Sequence, residues 1–136
     1  MTVKNNRKKI LLIIPAYNEA ENIEKVVNNL IQNYPQYDYV IVNDGSRDET
    51  EEICLKNHYQ VLNLPLNLGI GGAVQTGYRY ALKNHYDIAI QIDGDGQHDI
   101  AYVEKLIEPI LSGEADIAIG SRFIEKEGFQ SSVTRR

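Results

Sequence analysis

The strongest constraint on this chain is a rhythm of short apolar runs: Ile10–Ile14, Tyr39–Val42, Val61–Leu64, Ile88–Ile92 and Ile117–Ile119. Most are continuous rather than alternating, the pattern of parallel strands covered by helices on both faces. The segments between them carry helical periodicity. Ile23, Val26, Val27, Leu30 and Ile31 fall on one face of an amphipathic helix. Asn18 is placed to cap it, with Glu21 three residues on at the capping-box position. A second helix is expected to begin near Ser46, with Glu49 in the same relation to it. The third is expected from about Gly69 to Leu82, with Ile70, Ala73, Val74, Gly77, Tyr78 and Ala81 inward. A fourth carries Val103, Leu106, Ile107, Ile110 and Leu111. The order β-α-β-α-β-α-β-α-β predicts an α/β fold built on a doubly wound, mostly parallel sheet.

At 136 residues the chain has room for one such domain and not two. No linker or low-complexity segment divides it, so residues 1–136 read as a single domain, with flexible ends at 1–8 and 124–136. After Ile119 the sequence turns polar, from Glu125 to Arg136, with nothing periodic to cover a fifth strand. That reads as a domain cut short, and an apolar edge left by the cut would favour a homodimer.

Charge and hydropathy remove several classes of partner. The net charge is −5 and no basic block precedes Arg135-Arg136, which argues against nucleic acid. The longest apolar run, Ile10–Ile14, is far too short for a membrane span, and no secretory apolar region follows the polar Lys4–Lys9 segment. A single cysteine, Cys54, cannot form an internal disulfide, which fits a reducing, cytoplasmic setting. Its neighbours Ile53 and Leu55 suit a small core residue better than a reactive thiol.

In an open parallel sheet, ligands bind outside the carboxyl ends of the strands. The polar and special residues collect there. The first strand runs into Pro15-Ala16-Tyr17-Asn18-Glu19, and the second into Asn43-Asp44-Gly45-Ser46-Arg47-Asp48. The third is followed by Asn67-Leu68-Gly69-Ile70-Gly71-Gly72, and the fourth by Asp93-Gly94-Asp95-Gly96-Gln97-His98-Asp99. Each turn alone has a plain explanation, since Pro, Asn, Asp and Gly are common turn residues. Asp44 also suits a helix start, where the dipole favours a negative charge.

The acids after the fourth strand need more than a turn to explain them. Asp93 and Asp95 lie two apart with Asp99 close behind, and like charges that near repel unless a cation joins them. Hard oxygen ligands of this kind suit Mg²⁺ or Mn²⁺, with substrate phosphate completing the shell. Asp93, Asp95, Gln97, Asp99 and Glu104 approach calcium-loop spacing, but His98 stands where that loop requires glycine. An aspartyl-phosphate site of the haloacid-dehalogenase type would follow the first strand, not the fourth. Gly69-x-Gly71-Gly72 might suggest a dinucleotide fingerprint, yet that motif belongs in the first βα turn, which has no glycine. These glycines either let a ligand phosphate approach or let the helix pack closely on the sheet.

In order and spacing, these motifs resemble family 2 glycosyltransferases of the GT-A fold, a Rossmann-like architecture. Pro15-Ala16-Tyr17-Asn18-Glu19, Asn43-Asp44-Gly45-Ser46 with Asp48 and Thr50, Asn67-x-Gly69, and Asp93-x-Asp95 with Gln97-His98 carry the resemblance. The Asp-x-Asp-x-Gln-His stretch and Gly120-Ser121-Arg122-Phe123 look like the dolichyl-phosphate mannose synthase branch. The resemblance implies that Pro15, Ala16, Tyr17 and Glu19 border the base and ribose, and that Asp44 accepts from a base N–H. Asn67, Gly69 and Gly94 would join the nucleotide-sugar site. Asp93 would face ribose and donor sugar, and Asp95, helped by Gln97, would bind the divalent metal.

The implied chemistry is inverting, metal-dependent transfer from a UDP- or GDP-sugar to a polyprenyl phosphate or a saccharide. Asp93 and Asp95 are then the catalytic acids, and a metal on the diphosphate stabilises the leaving charge. The resemblance implies that the acceptor's base belongs to a segment beyond Arg136, and that membrane-associated C-terminal helices, carried by many members of this branch, would hold a cytoplasmic full-length protein at the inner face of the membrane. Two other readings stand beside this one. The first is a nucleotide-sugar binding module without catalysis. The second is a nucleotidyltransferase, which would show a glycine-rich, basic first turn that Pro15–Glu19 lacks.

Overall fold

The computed structural model describes residues 9–92, 103–105 and 107. Four strands, β1 (Ile10–Ala16), β2 (Asp38–Asp44), β3 (Val61–Leu64) and β4 (Ile88–Gln91), alternate with α1 (Ile23–Asn33), α2 (Thr50–Lys56) and α3 (Gly69–Lys83). All neighbours pair in parallel, in the order β3-β2-β1-β4. The chain winds outward from β1 to β3, then crosses back to lay β4 on the other side of β1. That reversal sets the topological switch point between β1 and β4, where open α/β sheets receive ligands.

Both faces of the sheet are covered, which is why its strands read as unbroken apolar runs. Leu12, Ile14 and Ala16 of β1, with Ile41, Ile88 and Ile90, pack under Ile23, Val27 and Leu30 of α1 and Cys54 of α2. Val103 and Ile107, both in helical conformation, join this layer. On the opposite face Leu11, Ile13, Val40 and Val42 lie under Ala73 and Ala81 of α3. Leu11 to Ile14 are wholly buried, each such side chain contributing roughly 1.5–3 kcal/mol by its removal from water. Gly77 lets α3 settle onto β1, since a Cβ there would stand 2.4 Å from Ile13 Cγ2. Cys54 is a core residue as expected, and burial pushes its thiol up to about 11.

Several boundaries differ from those expected. β1 continues through Pro15 and Ala16, and β2 takes in Asn43 and Asp44. Proline is tolerated in this central strand because the β1–β4 ladder ends at Ile13 and Gln91, with Ile92 N–H donating to Ile13 O. The next backbone position facing β4 is Pro15, which has no N–H to offer. Helix α1 begins at Ile23, with Asn22 rather than Asn18 at its N-cap position and no side-chain cap. Helix α2 begins at Thr50 instead of near Ser46. Ile31 and Ile70, expected inward, are 49% and 64% exposed. Ile31 lies at the margin of the α1 stripe, and Ile70 sits in the first turn of α3, ahead of its buried residues Ala73, Gly77 and Ala81. The fifth strand, the rest of the fourth helix and the two ends at 1–8 and 124–136 lie outside the described residues.

Helices α2 and α3 end in the same five residues, Leu-Lys-Asn-His-Tyr, at 55–59 and 82–86. Both form the same cap. His58 and His85 take left-handed φ values of 59° and 63°. Tyr59 N–H then donates to Cys54 O and Tyr86 N–H to Ala81 O, each at 3.0 Å, closing the last turn. The Asn57 and Asn84 side chains donate to Ile53 O and Tyr80 O, each at 2.8 Å.

Candidate functional site

At the carboxyl edge of the sheet, the β1–α1 and β2–α2 loops are laced together by side chains. Asn18 adopts a left-handed φ of 55°. Its Oδ1 accepts the N–H groups of Arg47 at 2.8 Å and Asp48 at 3.3 Å. Three consecutive N–H groups of the first loop donate the other way. Asn18 N–H reaches Ser46 Oγ at 2.9 Å, Glu19 N–H reaches Thr50 Oγ1 at 2.9 Å, and Ala20 N–H reaches Asp48 Oδ2 at 3.1 Å. Asp48 Oδ1 accepts both Thr50 N–H at 2.9 Å and Thr50 Oγ1–H at 2.5 Å. Burial works to raise the Asp48 carboxyl, but the hydrogen bonds from Thr50 and Ala20 outweigh it and hold it below its ordinary value. Deeper in, Ser46 Oγ donates to Asn43 Oδ1 at 2.5 Å, and Asn43 Nδ2 donates to Asn63 Oδ1 at 2.8 Å.

Asp44 ties the second loop to the third. Its side chain lies on the α3 face of the sheet and is buried, at 3% exposure. Oδ1 accepts Leu68 N–H at 2.7 Å, and Oδ2 accepts Gly69 N–H at 2.9 Å and Asn67 Nδ2–H at 3.3 Å. Asn67 Nδ2 also donates to Asp44 O at 2.9 Å. The acid therefore caps α3, not the helix that follows it in sequence, and meets the positive end of that helix. Gly45 permits the approach. Its φ is +68°, and a Cβ would stand 2.6 Å from Asn67 N and 2.7 Å from Leu66 C.

Of the residues singled out in the sequence, Pro15 and Ala16 are buried at the end of β1. Tyr17 projects at 44% exposure. Glu19 begins the α1 turn, its main-chain O accepting from Asn22 and Ile23 N–H and its Oε1 from Asn22 Nδ2. Asp44, Asn67 and Gly69 are brought into direct contact. Asp93, Gly94, Asp95 and Gln97 lie outside the described residues, immediately beyond the end of β4. Among the described residues no group of three or more His, Cys, Asp or Glu could hold a metal ion. A Cβ on Gly71 would meet nothing within 4 Å, so close packing does not explain that glycine. Leu66, Leu68 and Ile70 form an exposed apolar rim along the third loop.

The roles of Ser46, Asp48 and Thr50 as donors and acceptors to another loop go beyond what their sequence pattern indicates. The run Ser46–Thr50 is short and polar, a signal of a tethered turn as much as of a helix start. A groove of about 450 Å³ opens at the opposite, amino edge of the sheet, between Tyr37, Tyr39, Tyr80 and Tyr86. Three hydrogen bonds cross or border it: Tyr86 to Asp38, Gln60 to Tyr80, and Tyr37 to Glu104.

The model of the glycosyl transferase family 2 matches residues 11–135. The chain belongs to that family. Family 2 relatives include a UDP-N-acetylglucosamine–dolichyl-phosphate N-acetylglucosaminyltransferase of Methanococcus voltae, 37% identical over 91% of this chain and 56% of its own length. Another is a polyprenol monophosphomannose synthase of Mycolicibacterium smegmatis, 32% identical over 86% of this chain and 46% of its own. The chain thus spans about half the length of these curated relatives, and they place it in the dolichyl-phosphate mannose synthase-like branch of family 2. Among solved structures it is similar to glucosyl-3-phosphoglycerate synthase from Mycobacterium tuberculosis in complex with Mn²⁺ and uridine-diphosphate-glucose. That likeness has 26% identity and a TM-score of 0.63 over 79% of this chain and 40% of the other. It carries the GT-A fold to this sheet. No described helix is long and apolar enough to cross a membrane.

Proposed function

We propose that this chain is the donor-binding part of an inverting, metal-dependent glycosyltransferase. It takes a sugar from a UDP- or GDP-sugar and delivers it to a polyprenyl phosphate or a saccharide. The observation that carries this reading is the locked set of three loops at the carboxyl edge, with Tyr17 left exposed among residues otherwise tied down. Such preorganisation suits a nucleotide, whose base and ribose need fixed partners rather than a mobile surface.

In this reading Pro15, Ala16, Tyr17 and Glu19 border base and ribose. Asp44 has one acceptor position left on Oδ1 after its bonds to Asn67, Leu68 and Gly69, and that position suits a base N–H. Asn67 and Gly69 keep the third loop beneath the nucleotide. Asp93 and Gly94 serve ribose and donor sugar, while Asp95 with Gln97 holds Mg²⁺ or Mn²⁺. The ion's chemistry there is Lewis-acid stabilisation of charge on the departing diphosphate. Support comes from family membership, from relatives named for dolichyl-phosphate and polyprenol substrates, and from a structural neighbour holding Mn²⁺ with a UDP-sugar. A lipid-phosphate acceptor would bring the domain to the inner membrane face.

A thermal-shift panel of UDP- and GDP-sugars with Mn²⁺ tests the reading. A ligand of the native state raises the melting temperature by mass action. One nucleotide series is expected to do so in the presence of metal, and a flat panel would refute the proposal.

A further inference from the structure

We propose that Asn18 and Asp48 are positioning residues of the donor site, a reciprocal latch that fixes Tyr17 and Glu19 by bonding the first loop to the second. The inference rests on the donor reading above. Neither residue is assigned a contact with nucleotide there, and both are exposed, so neither contributes to the core. Their bonds run between loops rather than within them. Asn18 Oδ1 holds the Arg47 and Asp48 N–H groups, and Asp48 Oδ2 holds Ala20 N–H. Between these points Glu19 N–H is held by Thr50 Oγ1, itself fixed by Asp48 Oδ1. The N–H groups of residues 18, 19 and 20 thus all end on side chains of the second loop or of Thr50, the first residue of α2.

The residue types fit this task. A left-handed φ of 55° is strained for most side chains but tolerated by Asn, whose short amide also reaches a neighbouring backbone. Asp48 uses both carboxylate oxygens, one for each side of the latch. An amide in its place has one acceptor and cannot serve both. Tyr17 immediately precedes this latch, and Glu19 lies inside it. Releasing the loop leaves every proposed nucleotide contact chemically intact but no longer preorganised, which costs affinity.

The test uses the full chain and three substitutions. Asn18→Gly keeps the backbone conformation accessible and removes the acceptor. Asn18→Asp keeps both. Asp48→Asn keeps shape and removes one acceptor. UDP and GDP affinities are measured by calorimetry with Mn²⁺, well below each melting temperature, alongside hydrogen exchange of the ligand-free amides of residues 18–20. Asn18→Gly and Asp48→Asn should each weaken the nucleotide that the wild type binds by about tenfold, the scale of one hydrogen bond. Exchange at residues 19 and 20 should quicken in both. Asn18→Asp should restore affinity. Wild-type affinity in Asn18→Gly and Asp48→Asn would overturn the positioning role while leaving the donor reading in place. A wild type that binds neither nucleotide would overturn the donor reading and this role with it, even if amide exchange shows that the latch exists.

Discussion

Gly69 N–H donates to Asp44 Oδ2 at 2.9 Å, joining the last residue of β2 to the first residue of α3 across 25 positions of sequence. The neighbouring Leu68 N–H occupies the other carboxylate oxygen at 2.7 Å. A buried acid thus compensates the positive end of α3. A diphosphate placed against that helix end would meet the Asp44 charge. In the donor reading proposed above, the phosphates would therefore be received by a cation held on Asp93 and Asp95 rather than by this helix end.

Replacing Asp44 with Asn should therefore destabilise the protein before any nucleotide is added. The amide accepts on one side only, so one of the Leu68 and Gly69 N–H groups loses its partner. The expected loss is about 1.5–3 kcal/mol, the scale of one hydrogen bond to a charged group. Urea unfolding of the ligand-free chain measures it. Unchanged stability would mean that Asp44 does not hold α3.

The two left-handed histidines offer the opposite effect. His58→Gly and His85→Gly each place at a helix C-terminus the residue that adopts this conformation without a Cβ clash. Each should stabilise the fold by about 1 kcal/mol, read as a higher denaturation midpoint with unchanged slope. A lower midpoint at either site would show that the imidazole itself contributes there.

Acid should loosen the first two loops ahead of the core. The Asp48 carboxyl is held below its ordinary value, so its folded state binds a proton less readily than its unfolded state. Its contribution is complete above the unfolded value of about 3.9 and is lost as pH falls through the lower folded value. Hydrogen exchange at Glu19 and Ala20, corrected for intrinsic rate, should rise below about pH 4 in the wild type. In Asp48→Asn the same amides should exchange quickly at neutral pH and show no acid step.

Much of the fold was legible because burial on both sheet faces leaves a plain mark, the unbroken runs at Leu11–Ile14 and Val40–Val42. Helix faces were legible where four or five apolar positions agreed, and misread at their margins, Ile31 and Ile70. The carboxyl-edge loops were legible as a collection of residues but not as a connected structure. An Asn after a strand serves equally as a helix cap or as a left-handed turn, and only the position of Arg47 and Asp48 in space decides for Asn18. Asp44 reads as a helix-start acid, but its helix begins at Gly69 rather than at Thr50. Local patterns report periodicity and turn chemistry, while pairing across tens of residues depends on the order in which the strands assemble.

Donor binding requires that this edge of the sheet take a nucleoside diphosphate through a divalent ion. Calorimetric titration of the full chain with UDP and with GDP, in Mn²⁺ and again in excess chelator, addresses this directly. One nucleotide is expected to bind at a single site in Mn²⁺, to lose that binding in chelator, and to lose it equally in Asp95→Ala with Mn²⁺ present. Failure of both nucleotides to bind, or affinity that is the same with and without the ion, would contradict the account.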